Sequence, residues 1–394
     1  MVTFLCYVDR VAMSVAVLPM AAEHSWSATT RGLVLSSFFI GYALAMMSAG
    51  WLAARYGGRA VICVALLLWT ALTITTPLAS PSLALLVAIR AALGVSQAVS
   101  FPAAYNLFGR MLQRGERSRA GTINLAAIPV GSVCALVASG SLINTFGWPS
   151  VFYVFGALGL PAAAIWLMIV PRIGLPSVGG YSAVRTAAPS LRDLMSHRPV
   201  QALVINHFCV NWTLYMMLTW LPSYFSEVHH LSIARSGVYS IAPWICQFAS
   251  SLIAGVVADR RIMAGFTITR VRKEMQCVGL VGSAFFLLIA SQVSSPTSAL
   301  TCACLALAFS GVTWAGFAVN HLDLAPRYAD RLWGMTNTAG SIPGVIGVAA
   351  TGVLLDLTGG YTAAFVIAAL VSIAGAGIWL SWGSGEELQL AAVR

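Results

Sequence analysis

The sequence predicts an all-α polytopic membrane protein with twelve transmembrane helices in two six-helix pseudo-repeats, and three observations carry that prediction. Of 394 residues, 59% are hydrophobic and 9% charged, against roughly 25% charged in an ordinary soluble domain. A soluble fold of this length cannot hide so much apolar side chain in one core, whereas lipid is itself an apolar solvent. Apolar runs of about twenty residues recur twelve times along the chain. The basic residues fall between those runs, and almost all on alternate loops.

The runs lie near 2–20, 30–54, 60–79, 82–108, 119–143, 149–171, 200–225, 236–258, 274–292, 297–321, 332–356 and 361–382. The longest polar interruption, 172–199, is rich in proline, glycine and arginine, the composition of a linker. It divides the chain into an N-terminal six-helix bundle (1–171), a linker (172–199), a C-terminal six-helix bundle (200–385) and a tail (386–394).

Orientation follows from 21 arginines and one lysine. Alternating the loops puts Arg55, Arg59, Arg110, Arg114, Arg117, Arg119, the linker arginines, Arg260, Arg261, Arg270, Arg272, Lys273, Arg327, Arg331 and Arg394 on one side. The other side receives Arg31 and Arg235. Such a bias marks the non-translocated side, so both termini are expected there and the number of spans is even. A net charge of +10 spread this way, instead of over one soluble face, argues against nucleic acid as a partner.

The two halves repeat. Gly50-Trp-Leu-Ala-Ala-Arg55 follows the second span and Gly255-Val-Val-Ala-Asp-Arg260 the eighth. Gly121-Thr-Ile-Asn124 opens the fifth span and Gly334-Met-Thr-Asn337 the eleventh, with Phe152 and Phe365 continuing the match at an offset of about 213 residues. Repeats of this kind belong to transporters that rock about a central site.

Ionisable groups within lipid cost about 2.5–3.5 kcal/mol each even on the lenient insertion scale, so each needs a reason. Asp9 and Arg10 sit in the first span, roughly 13 Å along a helix from its start. One reading is a neutralised pair that locks helices together; the other is an anion site. Arginine stays charged in almost any surroundings and offers five fixed donors to a carboxylate or phosphate. Asp9 beside it can take up a proton or pair with Arg10. Arg90, in the fourth span, either faces an aqueous half-path or snorkels to the interface. His207 and His321 read as hydrogen-bonded structural histidines, with Asp323 near the end of the tenth span.

Glycines and prolines inside the spans (Gly41, Gly94, Pro102, Pro129, Pro243, Gly311, Pro343) permit close approach and bending. Trp51, Trp148, Trp220 and Trp382 fall near span ends, where interface anchors stand. The eight cysteines lie in apolar stretches without ligand-like spacing and read as small buried residues, with no metal site expected. No phosphate-binding glycine loop ending in Lys-Ser/Thr occurs, so ATP-driven pumping has no support. No nucleophile–base cluster converges, so the protein is not expected to be an enzyme or to carry a cofactor.

Gly50-Trp-Leu-Ala-Ala-Arg-Tyr-Gly-Gly-Arg59 resembles the loop signature between helices 2 and 3 of the major facilitator superfamily, with Ala54 in place of the usual acid. The second-half copy keeps the acid as Asp259. Other strings resemble the anion:cation symporter family, which includes sialin, vesicular glutamate transporters, bacterial sugar-acid transporters and plant plastid phosphate transporters. They are Asp9-Arg-Val-Ala-Met-Ser-Val-Ala-Val-Leu-Pro-Met20, Gly32-Leu-Val-Leu-Ser-Ser-Phe-Phe39 with Gly41-Tyr42, and Glu116-Arg-Ser-Arg119. Gly147-Trp-Pro-Ser-Val-Phe-Tyr-Val-Phe-Gly156, Leu218-Thr-Trp-Leu-Pro-Ser-Tyr224 and Asn320-His-Leu-Asp-Leu-Ala-Pro-Arg-Tyr-Ala329 complete the set. The first and fifth look most like the plant and algal branch.

The resemblance implies secondary transport of inorganic phosphate or a small organic anion by a monomer in the lipid bilayer, coupled to H⁺ or Na⁺ or driven by the membrane potential. It implies substrate binding at Arg10, Tyr7, Tyr42, Arg90 and Asn337, ion coupling at Asp9 and the position of Gln97, and gating at Arg55, Arg59, Asp259 and Arg260. Two departures qualify it. The family's helix-4 glutamate is Gln97 here, which cannot cycle a proton, and the helix-7 arginine of glutamate-transporting members is Val210. A non-transporting anion sensor on the same fold is the alternative. The branch implies a plastid envelope or thylakoid membrane, other endomembranes or the plasma membrane staying open, and with a plastid a Ser- and Arg-rich leader.

Overall fold

A computed structural model describes residues 1–111, 114–170 and 190–388, which form sixteen α-helices, two 3-10 turns and no strand. The helices are α1 (Val2–His24), α2 (Ala28–Tyr56), α3 (Gly58–Ala79), α4 (Leu83–Ala98), α5 (Ser100–Met111), α6 (Arg114–Phe146), α7 (Pro149–Ile169) and α8 (Leu191–Met195). They continue as α9 (Arg198–Glu227), α10 (Ile233–Tyr239), α11 (Ile241–Met263), α12 (Ile268–Ala290), α13 (Pro296–Val312), α14 (Phe317–Leu324), α15 (Ala329–Thr358) and α16 (Thr362–Trp382). Of the expected linker, residues 172–189 lie outside the described residues, as does most of the tail.

Eleven stretches among the described residues are long and apolar enough to cross a membrane. The expected seventh span is present as the 30-residue α9. Its buried Asn206, His207, Asn211 and Thr213 make it too polar to rank with the others, and hydrogen bonds to neighbouring helices carry that polarity.

Three expected spans are broken rather than continuous: α4 passes to α5 at Val99, α10 to α11 at Ser240, and α13 to α14 through a 3-10 turn at Thr313–Ala315. A break frees backbone groups that lipid cannot satisfy. At the last break α12 supplies the partners. Gln276 Oε1 accepts the Phe317 N–H at 3.2 Å, and Arg272 Nη1 donates to Ala315 O at 3.0 Å. Arg272, expected in a loop, is therefore a buried structural residue of α12, which begins several residues earlier than its apolar run.

The helices sort into two compact units. The first holds α1–α7 with Leu218–Ile241 and Val348–Asp356; the second holds α8, the rest of α9, Ala242–Gly347 and the chain from Leu357. In the first, glycines set the spacing of α2 against α4. A Cβ at Gly41 would sit 1.8 Å from Ala91 O, and one at Gly94 2.0 Å from Phe38 O. Bare backbones therefore touch, as small residues permit in membranes.

The first unit also gathers polar ties at one set of helix ends. Arg31 is paired with Glu227 and lies over the Trp220 ring. The Asp356 carboxylate accepts the Ala28 and Thr29 N–H groups at 2.9 and 2.8 Å, capping the orphan donors at the start of α2. Trp148 and Trp220, expected as interface anchors, are buried instead, 6% and 2% exposed. Each indole N–H has found an internal acceptor, Glu23 Oε2 at 2.6 Å and Val348 O at 3.1 Å, which removes its reason to seek headgroups. Trp51 is exposed as expected.

In the second unit, α12 packs against α13 and α16, and a core of Leu203, Val210, Leu280, Phe317, Leu332 and Trp379 fills the space beside them.

Substituting Gly94→Ala forces α2 from α4 and overpacks the interface, a change that costs about 1–3 kcal/mol. The melting temperature of the purified protein is expected to fall by several degrees, whereas Gly50→Ala, with open space around it, leaves it unchanged.

Candidate anion site

The first helix is apolar all round and correspondingly buried, with Val8, Val11, Met13, Val15 and Val17 all at 2% exposure or less. Asp9 and Arg10 are carried inside with it, 4% and 8% exposed. Neighbouring residues on a helix point about 100° apart, so the two side chains leave α1 in different directions.

Arg10 turns into an aromatic cage. Its guanidinium carbon lies 4.6 Å from the Phe38 ring, 4.8 Å from Tyr7 and 5.0 Å from Tyr42. Phe38 and Tyr42, one turn apart on α2, are stacked with centroids 5.8 Å apart and planes at 24°. Tyr7 comes from Arg10's own helix one turn earlier. The cage thus follows from two short helical spacings, i to i+3 and i to i+4.

Asp9 is coupled electrostatically to Arg90 on α4. Arg90 is buried, 2% exposed. Its guanidinium lies 5.5 Å from the Phe38 centroid, so both arginines gather over one ring. The close glycine contacts of α2 with α4 make that approach possible. Gln97 is seven residues beyond Arg90, two turns along the same face, and 1% exposed. Neither of its amide atoms has a hydrogen-bond partner among the described residues, nor has Arg90 Nε. Leaving a buried polar group unmade costs about 1–3 kcal/mol, so the Gln97 amide is a polar group available on this face.

Two guanidiniums and one carboxylate leave a net positive site in a low-dielectric interior. Cation–π contacts give each guanidinium about 1–2 kcal/mol, far less than burying an ion costs. An anion carrying several acceptor oxygens completes the balance, and Gln97 adds one donor and one acceptor suited to a hydroxyl or a protonated oxyanion.

The remaining expected residues are placed elsewhere. Asn337 belongs to the second unit, half-buried on α15. Arg55 is exposed and stacks on Trp51 and Tyr56, each at 5.7 Å. Arg59 donates from Nε to Val170 O at 2.6 Å and from Nη2 to Leu167 O at 2.9 Å, holding the carbonyl end of α7 within the first unit. Asp259 and Arg260 are exposed at the end of α11. Phe38 went unrecognised in the sequence although its spacing to Tyr42 was visible there. The buried Arg272–Asp323 pair, with Nε to Oδ2 at 2.7 Å, was likewise missed, because it joins residues 51 apart.

Residues 1–348 match the sequence model of the Major Facilitator Superfamily. The chain belongs to that superfamily. Among its relatives, Probable anion transporter 4, chloroplastic, from Oryza sativa subsp. japonica is 37% identical over 397 residues, covering 98% of this chain and 67% of the relative. Sodium-dependent phosphate transport protein 1, chloroplastic, from Arabidopsis thaliana is also 37% identical over 397 residues, covering 98% and 77%. Ascorbate transporter, chloroplastic, from Arabidopsis thaliana is 36% identical over 401 residues, covering 98% and 73%. Among solved structures, a bacterial homolog of the human lysosomal transporter Spinster superposes with a TM-score of 0.81 at 17% identity over 96% of this chain and 94% of that one. A D-xylose-proton symporter superposes at 0.78 with 14% identity over 98% of each. These likenesses place the fold among superfamily transporters, none of them an enzyme.

Replacing Phe38 by Leu removes the ring shared by both guanidiniums while keeping an apolar side chain. Phosphate affinity of the purified protein, read by calorimetry or scintillation proximity, is expected to weaken about tenfold, in line with about 1–2 kcal/mol of lost cation–π contact.

Proposed function

We propose that this protein is a secondary active transporter that moves inorganic phosphate or a small organic anion across a membrane by alternating access. The observation that carries the reading is the gathering of Arg10 and Arg90 over Phe38, buried within the first unit. Relatives named for anion, phosphate and ascorbate transport support the substrate class. In this reading Arg10 and Arg90 hold the anion, Tyr7, Tyr42 and Phe38 orient and shield it, and Asn337 is a further polar residue for the substrate. Asp9 links anion binding to the state of Arg90.

The drive is an ion gradient or the membrane potential, with H⁺ and Na⁺ both chemically open. Gln97 cannot carry a proton, which removes one station from proton coupling. A potential of 100 mV acting on one net charge supplies about 2.3 kcal/mol, enough for roughly fiftyfold accumulation. Plastid membranes fit the relatives' names, with both termini on the positively charged side, and the transporter works as a monomer.

The test is uptake of labelled phosphate into proteoliposomes, beside a panel of small organic anions. Arg10→Ala is expected to lower uptake at least a hundredfold while its gel-filtration profile and melting curve stay those of the parent. Wild-type uptake by a folded Arg10→Ala variant removes the site. Counterflow separates transport from the alternative of an anion sensor, which binds the labelled anion without exchanging it across the bilayer.

A further inference from the structure

The second unit buries two histidines that the anion site does not use. His207 on α9 and His321 on α14 are 4% and 2% exposed. One hydroxyl joins them: Thr336 Oγ1 on α15 lies 3.2 Å from His207 Nδ1 and 2.7 Å from His321 Nε2. α9 meets the consecutive helices α14 and α15 at this point, and the rings of Phe317 and Trp333 wall it in, 5.0 and 5.5 Å from His207.

The hydrogens in this chain can be assigned from its ends. His321 Nδ1 is 3.0 Å from Ala318 O, a carbonyl that only accepts, so Nδ1 carries the hydrogen. In the neutral ring Nε2 then holds a lone pair, and the Thr336 hydroxyl, which also lies 3.2 Å from the Trp333 carbonyl oxygen, donates to Nε2 across the shortest of its three distances. With its hydrogen used, Thr336 Oγ1 accepts from His207 Nδ1–H. The ring nitrogen left bare is His207 Nε2. A Cβ at Gly340 would fall 2.8 Å from that atom and 2.5 Å from Cδ2, so only a glycine there leaves room for this edge of the ring. Asn211 Nδ2 donates to Gly340 O at 2.7 Å and fixes that backbone in turn.

We propose that His207, Thr336 and His321 form a proton-loading relay in the second unit, entered at Nε2 of His207. A proton binds that nitrogen. The Nδ1–H bond of His207 breaks and its hydrogen passes to Thr336 Oγ1, while the original hydroxyl hydrogen passes to His321 Nε2. The products are a neutral His207 carrying hydrogen on Nε2, a restored Thr336 hydroxyl and an imidazolium at His321. No atom is gained beyond the entering proton, and the steps reverse on release. His321 is the natural store, because it stands in the last turn of α14, where the carbonyl end of the helix favours a cation, and it keeps the Ala318 carbonyl as acceptor.

Other charges on the surrounding elements are occupied or remote. The Arg272–Asp323 pair of α12 and α14 is closed at 2.7 Å, and Lys273 donates to Leu380 O at 2.7 Å. Arg331 and Arg198 are exposed near the starts of α15 and α9. The titratable group that faces His207 is His321. The relay would give this chain a proton station despite Gln97, and only that consequence rests on the transport reading.

Two measurements test it. Solid-state ¹⁵N spectra of histidine-labelled protein in liposomes, assigned with H207Q and H321Q, are expected to show hydrogen on Nδ1 of both rings at neutral pH. On acidification the imidazolium is expected at His321 in the parent and in Thr336→Ser, and not in Thr336→Val. Identical titration in the valine variant, or hydrogen on His207 Nε2 at neutral pH, overturns the relay. In proteoliposomes, phosphate uptake driven by a pH gradient is expected to fall at least tenfold in Thr336→Val and to persist in Thr336→Ser. Undiminished pH-driven uptake in folded Thr336→Val also overturns it. If the spectra behave as expected but the parent shows no anion counterflow, the relay stands and the transport reading fails.

Discussion

A guanidinium buried in an apolar bundle is the constraint on which the rest of the first unit depends. Arg10 cannot shed its charge, so its surroundings must supply what water would have supplied. Three aromatic faces do part of this, and none of them is a counter-ion. Asp9, the carboxylate next to it in sequence, is also coupled electrostatically to Arg90 on α4. The unit is thereby left with positive charge and donor groups directed inward, which is the electrostatic condition for holding an anion.

Reaching that arrangement requires α2 and α4 to touch through backbone. Gly41 and Gly94 remove the two side chains that would hold the helices apart, and Arg90 then comes over the same Phe38 ring as Arg10. Packing at a helix crossing and charge at a binding site are here one design, since a methyl group at either glycine displaces a cation. Gln97, whose unsatisfied amide continues the same face of α4, extends the polar surface while adding no charge.

The second unit handles buried polarity differently. At its broken span, polar side chains meet one another and the freed backbone: Gln276 bridges Asn206 to the broken α13–α14 connection, and Arg272 closes on Asp323. This internal pairing allows a span to break in lipid without orphaned backbone groups. The His207–Thr336–His321 chain adds a hydroxyl shared between two buried imidazoles.

The sequence by itself determined the class, the helices and the charge asymmetry, because lipid imposes a length and an apolarity that can be read residue by residue. It also marked Arg10, Tyr7, Tyr42 and Arg90, since an ionisable or hydroxylated side chain in an apolar run is anomalous wherever the run folds. Local spacing held enough to find Phe38 as well. Only the tertiary structure decided who faces whom. That Asp9 answers to Arg90, that Arg59 caps α7, that Trp148 and Trp220 are buried, and that Arg272 meets Asp323 all depend on contacts between helices distant in sequence. The histidine relay is the extreme case: its members at 207, 321 and 336 share no periodicity, and only packing brings one hydroxyl between two rings.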